Sequence, residues 1–276
     1  MYRRYVFYLG LMVFSAVVIA VQLISPHENM SQGTTRSQPR QRDGYNLLFS
    51  LSRQNYGPLN RYAIKYQTTD EETAKKFAKK FQMPMAFFTN DESFVFENND
   101  AMLTICRHSG HLNFEAVAQV LISADANKIA PLNHEELTTR AVEIFKDFEL
   151  TLEYVELRVE AHPENENSHF TIIFINRLGN LKNFAFNNSV TLDCCGNFIS
   201  LDYFFIDYDL LGTGSVKSMR EAFDALPSRH GLTAVNLTDA MLVYAYINSI
   251  IQPAYLFIGE TTDGSPVEYM VRAANY

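Results

Sequence analysis

A chain of 276 residues, 47% of them hydrophobic, has ample material for one large core or two modest ones, which excludes a disordered protein. Three cysteines are too few for a disulfide framework; Cys194 and Cys195 are adjacent, so a bridge between them is strained, and all three read as small buried hydrophobes near strands. The net charge of −8 is spread unevenly: Arg3, Arg4, Arg36, Arg40 and Arg42 against Glu28 and Asp43 give +3 over residues 1–43, which leaves −11 for the rest and argues against nucleic acid or an anionic membrane surface as its partner.

Residues 1–4 form a short basic tip, and the run YVFYLGLMVFSAVVIAVQLI at 5–24 carries no charge. At about 1.5 Å per helical residue it reaches the thickness of a bilayer's hydrocarbon core, about 30 Å. It is expected to be a transmembrane helix, with Arg3 and Arg4 holding the N-terminus in the cytoplasm and everything after Ile24 sent across. A cleavable signal peptide ending near Ala20 is the alternative, and the length of the apolar run favours an uncleaved anchor. Ala16 and Ala20 make a small-xxx-small step on one side of this helix and are the candidate contact face for another transmembrane helix. Residues 25–43 are polar, lack apolar periodicity and are expected to be a flexible tether.

The folded part is expected to repeat one plan, an amphipathic helix followed by an antiparallel β-meander, in a first unit at 44–125 and a larger region at 126–276. The first helix is placed after Thr69, whose spacing to Glu72 is that of a capping box, with Ala74, Phe77, Ala78 and Phe81 on its apolar stripe. Lys75, Lys76, Lys79 and Lys80 fall largely opposite, where a solvated face is a commoner cause than an anion site. Short apolar runs at 85–88, 94–96, 102–106 and 112–114, separated by Asn- and Gly-containing breaks, then read as strands. Asn133 and Glu136 cap a second helix with Leu137, Ala141, Ile144, Phe145 and Phe148 on its stripe, and strands are predicted at 152–161, 170–175, 190–194 and 198–206. A third helix opens at Ser215 or Ser218, buries Met219, Ala222, Phe223 and Leu226 and stops at Pro227; strands at 241–247, 254–259 and 267–271 follow. Helices packed on antiparallel sheets make this an α+β fold.

The common hydrolase, nucleotide and redox motifs are missing from the sequence, so no catalytic residue, metal ligand or cofactor is assigned. His108 and His111 around Ser109-Gly110 offer two metal ligands without an acid at the usual spacing, Cys106 being the nearest thiol; an exposed hairpin tip explains them as well. Asp207-Tyr208-Asp209 and Gly212-Thr213-Gly214 lack the bidentate glutamate of a calcium loop and read as a turn leading to the third helix.

Four C-terminal segments, ISLDYFF at 199–205, SVKSMREAFDALP at 215–227, MLVYAYI at 241–247 and QPAYLFIG at 252–259, together with the anchor and the helix-plus-meander plan, resemble the YycH/YycI family of Gram-positive bacteria, with a length closer to YycI. Related units occur in PepSY-type domains. The resemblance implies a non-enzymatic, membrane-anchored extracytoplasmic regulator of the two-component sensor histidine kinase that controls cell-wall metabolism. Its anchor would contact the kinase's transmembrane helices and its outer domain a homologous YycH-like partner. A PepSY-like extracytoplasmic binding or inhibitory module for a protease or a cell-wall component is the alternative. The 25–43 tether and the Cys194-Cys195 pair depart from the family's pattern.

Overall fold

The computed structural model of the protein describes residues 41–42, 44–51, 56–85, 87–116, 131–162, 169–227 and 234–275. In chain order these form β1 (Gln41–Arg42), β2 (Tyr45–Leu47), β3 (Leu59–Lys65), α1 (Glu71–Lys80), β4 (Phe87–Thr89), β5 (Ser93–Glu97), β6 (Ala101–Cys106) and β7 (His111–Ala116). There follow α2 (His134–Asp147), β8 (Glu156–His162), β9 (His169–Leu178), β10 (Leu181–Asp193), β11 (Phe198–Phe204), β12 (Asp207–Gly214), α3 (Met219–Asp224), β13 (Val235–Ile247), β14 (Ile250–Thr261) and β15 (Pro266–Arg272).

The strands join in one mixed 15-stranded sheet whose longest path runs β12-β3-β14-β13-β10-β11-β7-β6-β5-β4. This corrects the expectation of an α+β chain of repeated helix-plus-meander units. The strands of the supposed units pair with one another: β7 runs antiparallel to β11, with Leu201 opposite Phe114, so the sheet is continuous across residue 125. Two of its pairings, β10 with β13 and β13 with β2, are parallel. The 5–24 segment, with Ala16 and Ala20, lies outside the described residues, and among the described residues no helix is long and apolar enough to cross a membrane. Gln41 and Arg42, expected at the end of a flexible tether, are a strand paired with Tyr45 and Asn46.

Local chemistry sets the helices. Asp70, rather than Thr69, caps α1 by accepting from the Thr73 amide, while Thr69 is buried. Asn133 and Glu136 form the expected reciprocal capping box on α2, and Ser218 with Glu221 forms another on α3. The lysines of α1 make a solvated face: Lys75 pairs with Glu71, Lys76 with Glu72 at 2.9 Å, and Lys80 donates to the Glu149 carbonyl at 2.8 Å.

Two cores lie against the sheet. In the first, α1 and α2 share one face of β5–β7 and β9–β11, and the Phe81 ring stacks on Phe114 at 5.0 Å and on Phe148 at 4.2 Å. In the second, α3 packs Phe223 towards Phe257, and Tyr45 and Tyr255 are fully buried with their hydroxyls donating to the carbonyls of Pro227 and Lys217. The β13–β14 hairpin turns at Asn248 and Ser249, both with positive φ as a two-residue hairpin turn of matching twist demands. Buried Gln252 supports this end of the hairpin by donating to the Ile247 carbonyl at 2.8 Å.

Strand β10 joins the halves. Residues 189–192 pair with β11, whereas Asn183 pairs with Tyr244 of β13, and the register on β9 slips between Asn183 and Asn188. An ion pair of 2.9 Å from Arg158 on β8 to Glu268 on β15 also links the two edges.

Candidate functional site: a cleft at the junction of the two half-sheets

The register slip in β10 opens the sheet. An extra stretch of residues on one strand bends it and removes ladder partners, so side chains must replace the lost backbone bonds. Asn183, fully buried, accepts from the Ala185 amide at 3.0 Å and donates to the Tyr208 hydroxyl at 3.1 Å. Asn188 accepts from the Phe204 amide at 2.8 Å, just beyond the last β10–β11 pair, Ser189 with Asp202. There β11 leaves β10, and the chain passes through residues 205–206 into β12, which pairs with β3 on the other half-sheet.

The gap left by this divergence is a cleft of about 440 Å³. Its floor and walls come from Asn176, Phe186, Asn188, Phe204, Ile206 and Tyr208, with Glu153, Tyr154, Val155 and Arg177 at the exposed side. Its volume falls within the range of small-ligand sites, and its lining mixes aromatic surface with amide groups. Burial pushes the Tyr208 phenol up, against the hydrogen bonds of the Asn183 and Asn176 amides. The Asn176 side-chain oxygen, Oδ1, is buried and meets no donor among the described residues.

An aromatic row continues from the cleft over the face of the sheet opposite α1 and α2. His111 lies flat on Phe204 at 4.5 Å, Phe204 meets Phe186 at 5.5 Å, and Phe186 meets Tyr246 at 5.3 Å. Tyr246 and, at the cleft's rim, Tyr154 and Val155 stay more than two-fifths exposed.

The residues singled out from the sequence are placed differently. His111 opens β7 and bonds Asp202, while His108 stands exposed in the turn, and among the described residues no group of three or more His, Cys, Asp or Glu is arranged to hold a metal. The 207–214 segment, expected to be a turn, is β12; Asp207 accepts from Gln67 at 3.1 Å. Cys106, Cys194 and Cys195 are all free and partly exposed, with 3.9 Å between the sulfurs of the adjacent pair. Sequence reasoning missed Asn176, Asn188, Phe186, Phe204 and Tyr208 as site residues. The one local signal was the Asn187-Asn188 doublet breaking an otherwise strand-like run. No protein-family model matches this chain, and no curated protein matches it either.

Proposed function

We propose that this protein is a membrane-anchored, non-enzymatic regulator of a sensor histidine kinase, similar in role to the YycH/YycI family. Its anchor would meet the kinase in the membrane through Ala16 and Ala20, and its outer domain would pair with a homologous partner. The observation that carries the reading is the apolar surface exposed at the rim of the junction cleft and at the Tyr246 end of the aromatic row. Tyr154, Val155 and Tyr246 leave apolar surface in water next to the polar amide groups of the cleft, the mixture typical of protein-contact surfaces. Three of the four segments carrying the resemblance supply α3, β13 and β14 around one core, and the fourth is β11, which forms a wall of the cleft.

The test uses the full-length chain in membranes, with kinase association and cell-wall gene output as readouts. Replacing Ala16 and Ala20 with Leu is expected to keep insertion but weaken kinase association, while Val17→Leu with Val21→Leu has little effect. Tyr154→Ala with Tyr246→Ala is expected to weaken pairing with the homologous partner at unchanged folding. If neither set alters either association or output, the regulatory reading is wrong.

A second reading, a PepSY-like binding module for a protease segment or a wall component, is favoured by the buried, unmet Asn176 acceptor in the cleft. A thermal-shift series with peptides and wall fragments separates the two. Saturable stabilisation that Asn176→Leu removes supports the binding module.

A further inference from the structure

A second cluster of chemistry lies at the far end of the aromatic row, on three adjacent strands. Cys106 ends β6, His111 begins β7 and Asp202 sits within β11. The register sets their meeting: Ile105 pairs with Leu112, both fully buried under the helices, so Cys106 and His111 face each other on the opposite side of the sheet. On β11, Phe204 pairs with His111 and Asp202 with Asn113, which brings Asp202 to the imidazole from the other side. The turn between Cys106 and His111 is held close to β11 because Gly110 has φ +60° and stands where a Cβ would lie 2.7 Å from the Phe205 carbonyl oxygen. The Gly110 carbonyl accepts from the Phe205 amide at 2.8 Å.

The imidazole is fixed on every side. Nε2 bonds Asp202 Oδ1 at 2.9 Å, Asn113 donates to the same oxygen at 3.2 Å, and Phe204 stacks beneath the ring at an angle of 15°. Cys106 faces the ring across the β6–β7 pair. Interaction with His111, and less so with Ser109, pulls the Cys106 thiol below its ordinary value, against burial and the nearby Glu92 carboxylate. Burial by itself would lower His111, but the bonds to Asp202 and Cys106 outweigh it and raise the ring to about 9. The other charged neighbours face away: Arg107 lies over the Phe94 ring and donates to the Asn90 carbonyl, and His108 is exposed in the turn.

We propose that Cys106 is a nucleophilic thiol that exchanges with low-molecular-weight disulfides, with His111 and Asp202 as positioning residues that hold it as the thiolate. The thiolate attacks one sulfur of R–S–S–R; the Sγ–S bond forms as the S–S bond breaks, and the leaving R–S⁻ takes the imidazolium proton to depart as R–SH. The sum is one mixed disulfide and one free thiol, with no other oxidant. The exchange stops there because the chain offers no resolving thiol. Cys194 and Cys195 lie beyond the opposite end of β11, about 20 Å away at about 3.3 Å per strand residue.

The site is tested on the full-length protein with 2-hydroxyethyl disulfide, a neutral probe, over pH 5–10, with adducts located by peptide mass mapping. Cys106 is expected to react about tenfold faster at neutral pH than the same cysteine in the urea-unfolded chain, with its rate midpoint displaced to lower pH. His111→Gln should return the midpoint towards the unfolded value, and Asp202→Asn should return it part of the way. Because the wild-type comparison needs no variant, it stands even where a substitution weakens the fold. A Cys106 that is unlabelled in the folded chain, or has the midpoint of the unfolded chain, overturns the proposal. So does a folded His111→Gln protein with an unchanged profile.

Discussion

Replacing Phe81 with Ala probes whether the two helices of the first core are one cooperative body. Phe81 is 4% exposed and lies just past α1, yet its ring contacts Phe114 on the sheet and Phe148 at the end of α2. Truncating a buried Phe costs about 3–5 kcal/mol, and the two stacked pairs place this site towards the upper end. With a urea m-value of about 3 kcal/mol/M for a domain of this size, the unfolding midpoint should fall by about 1–1.7 M. The chain has no Trp, so unfolding is followed by far-UV circular dichroism and tyrosine emission, and amide hydrogen exchange read by mass spectrometry locates the loss. Protection should fall in both Glu71–Lys80 and His134–Asp147. Full protection of α2 with loss confined to α1 would refute the shared core.

A second pair of substitutions contrasts two glycines. A Cβ at Gly259 would lie 2.3 Å from the Asn236 carbonyl oxygen, beside the β13–β14 bulge, so Gly259→Ala should cost about 3 kcal/mol by thermal unfolding. Gly179→Ala, with φ +60° but open space around it, should cost about 1 kcal/mol; equal effects would contradict the close strand approach. The His111 cluster makes stability depend on pH. Because folding raises this ring to about 9 from an ordinary 6.5, its contribution is complete below pH 6.5 and disappears as pH rises through about 9. Discounted for the half-exposed Asp202, the effect is about 1 kcal/mol. The stability gap between wild type and Asp202→Asn should therefore be widest near pH 6 and close by pH 10; a gap independent of pH would show that the pair carries no linked proton.

What the sequence by itself determined was local. The caps at Asn133 and Ser218, the stop at Pro227 and the apolar stripes of all three helices follow from contacts within a few residues, where side chains satisfy the free amides of a helix end. Short apolar runs bounded by turn residues also located most strands of the helix-covered half, such as Ala101–Cys106, whose burial alternates in the structure. It could not give their partners, and pairing was the difference between repeated units and one sheet. β3 and β12 show why: neither has a strong apolar pattern, Gly212 and Gly214 read as turn residues, and each becomes a strand by bonding the other across more than 140 residues of chain. The same holds for the chemistry. His111 and Asp202 are 91 residues apart, and the amides of the cleft come together only where β10 changes neighbours. A strand's hydrogen bonds point sideways to whatever chain lies next to it, so the tertiary structure alone decided which residues share a site.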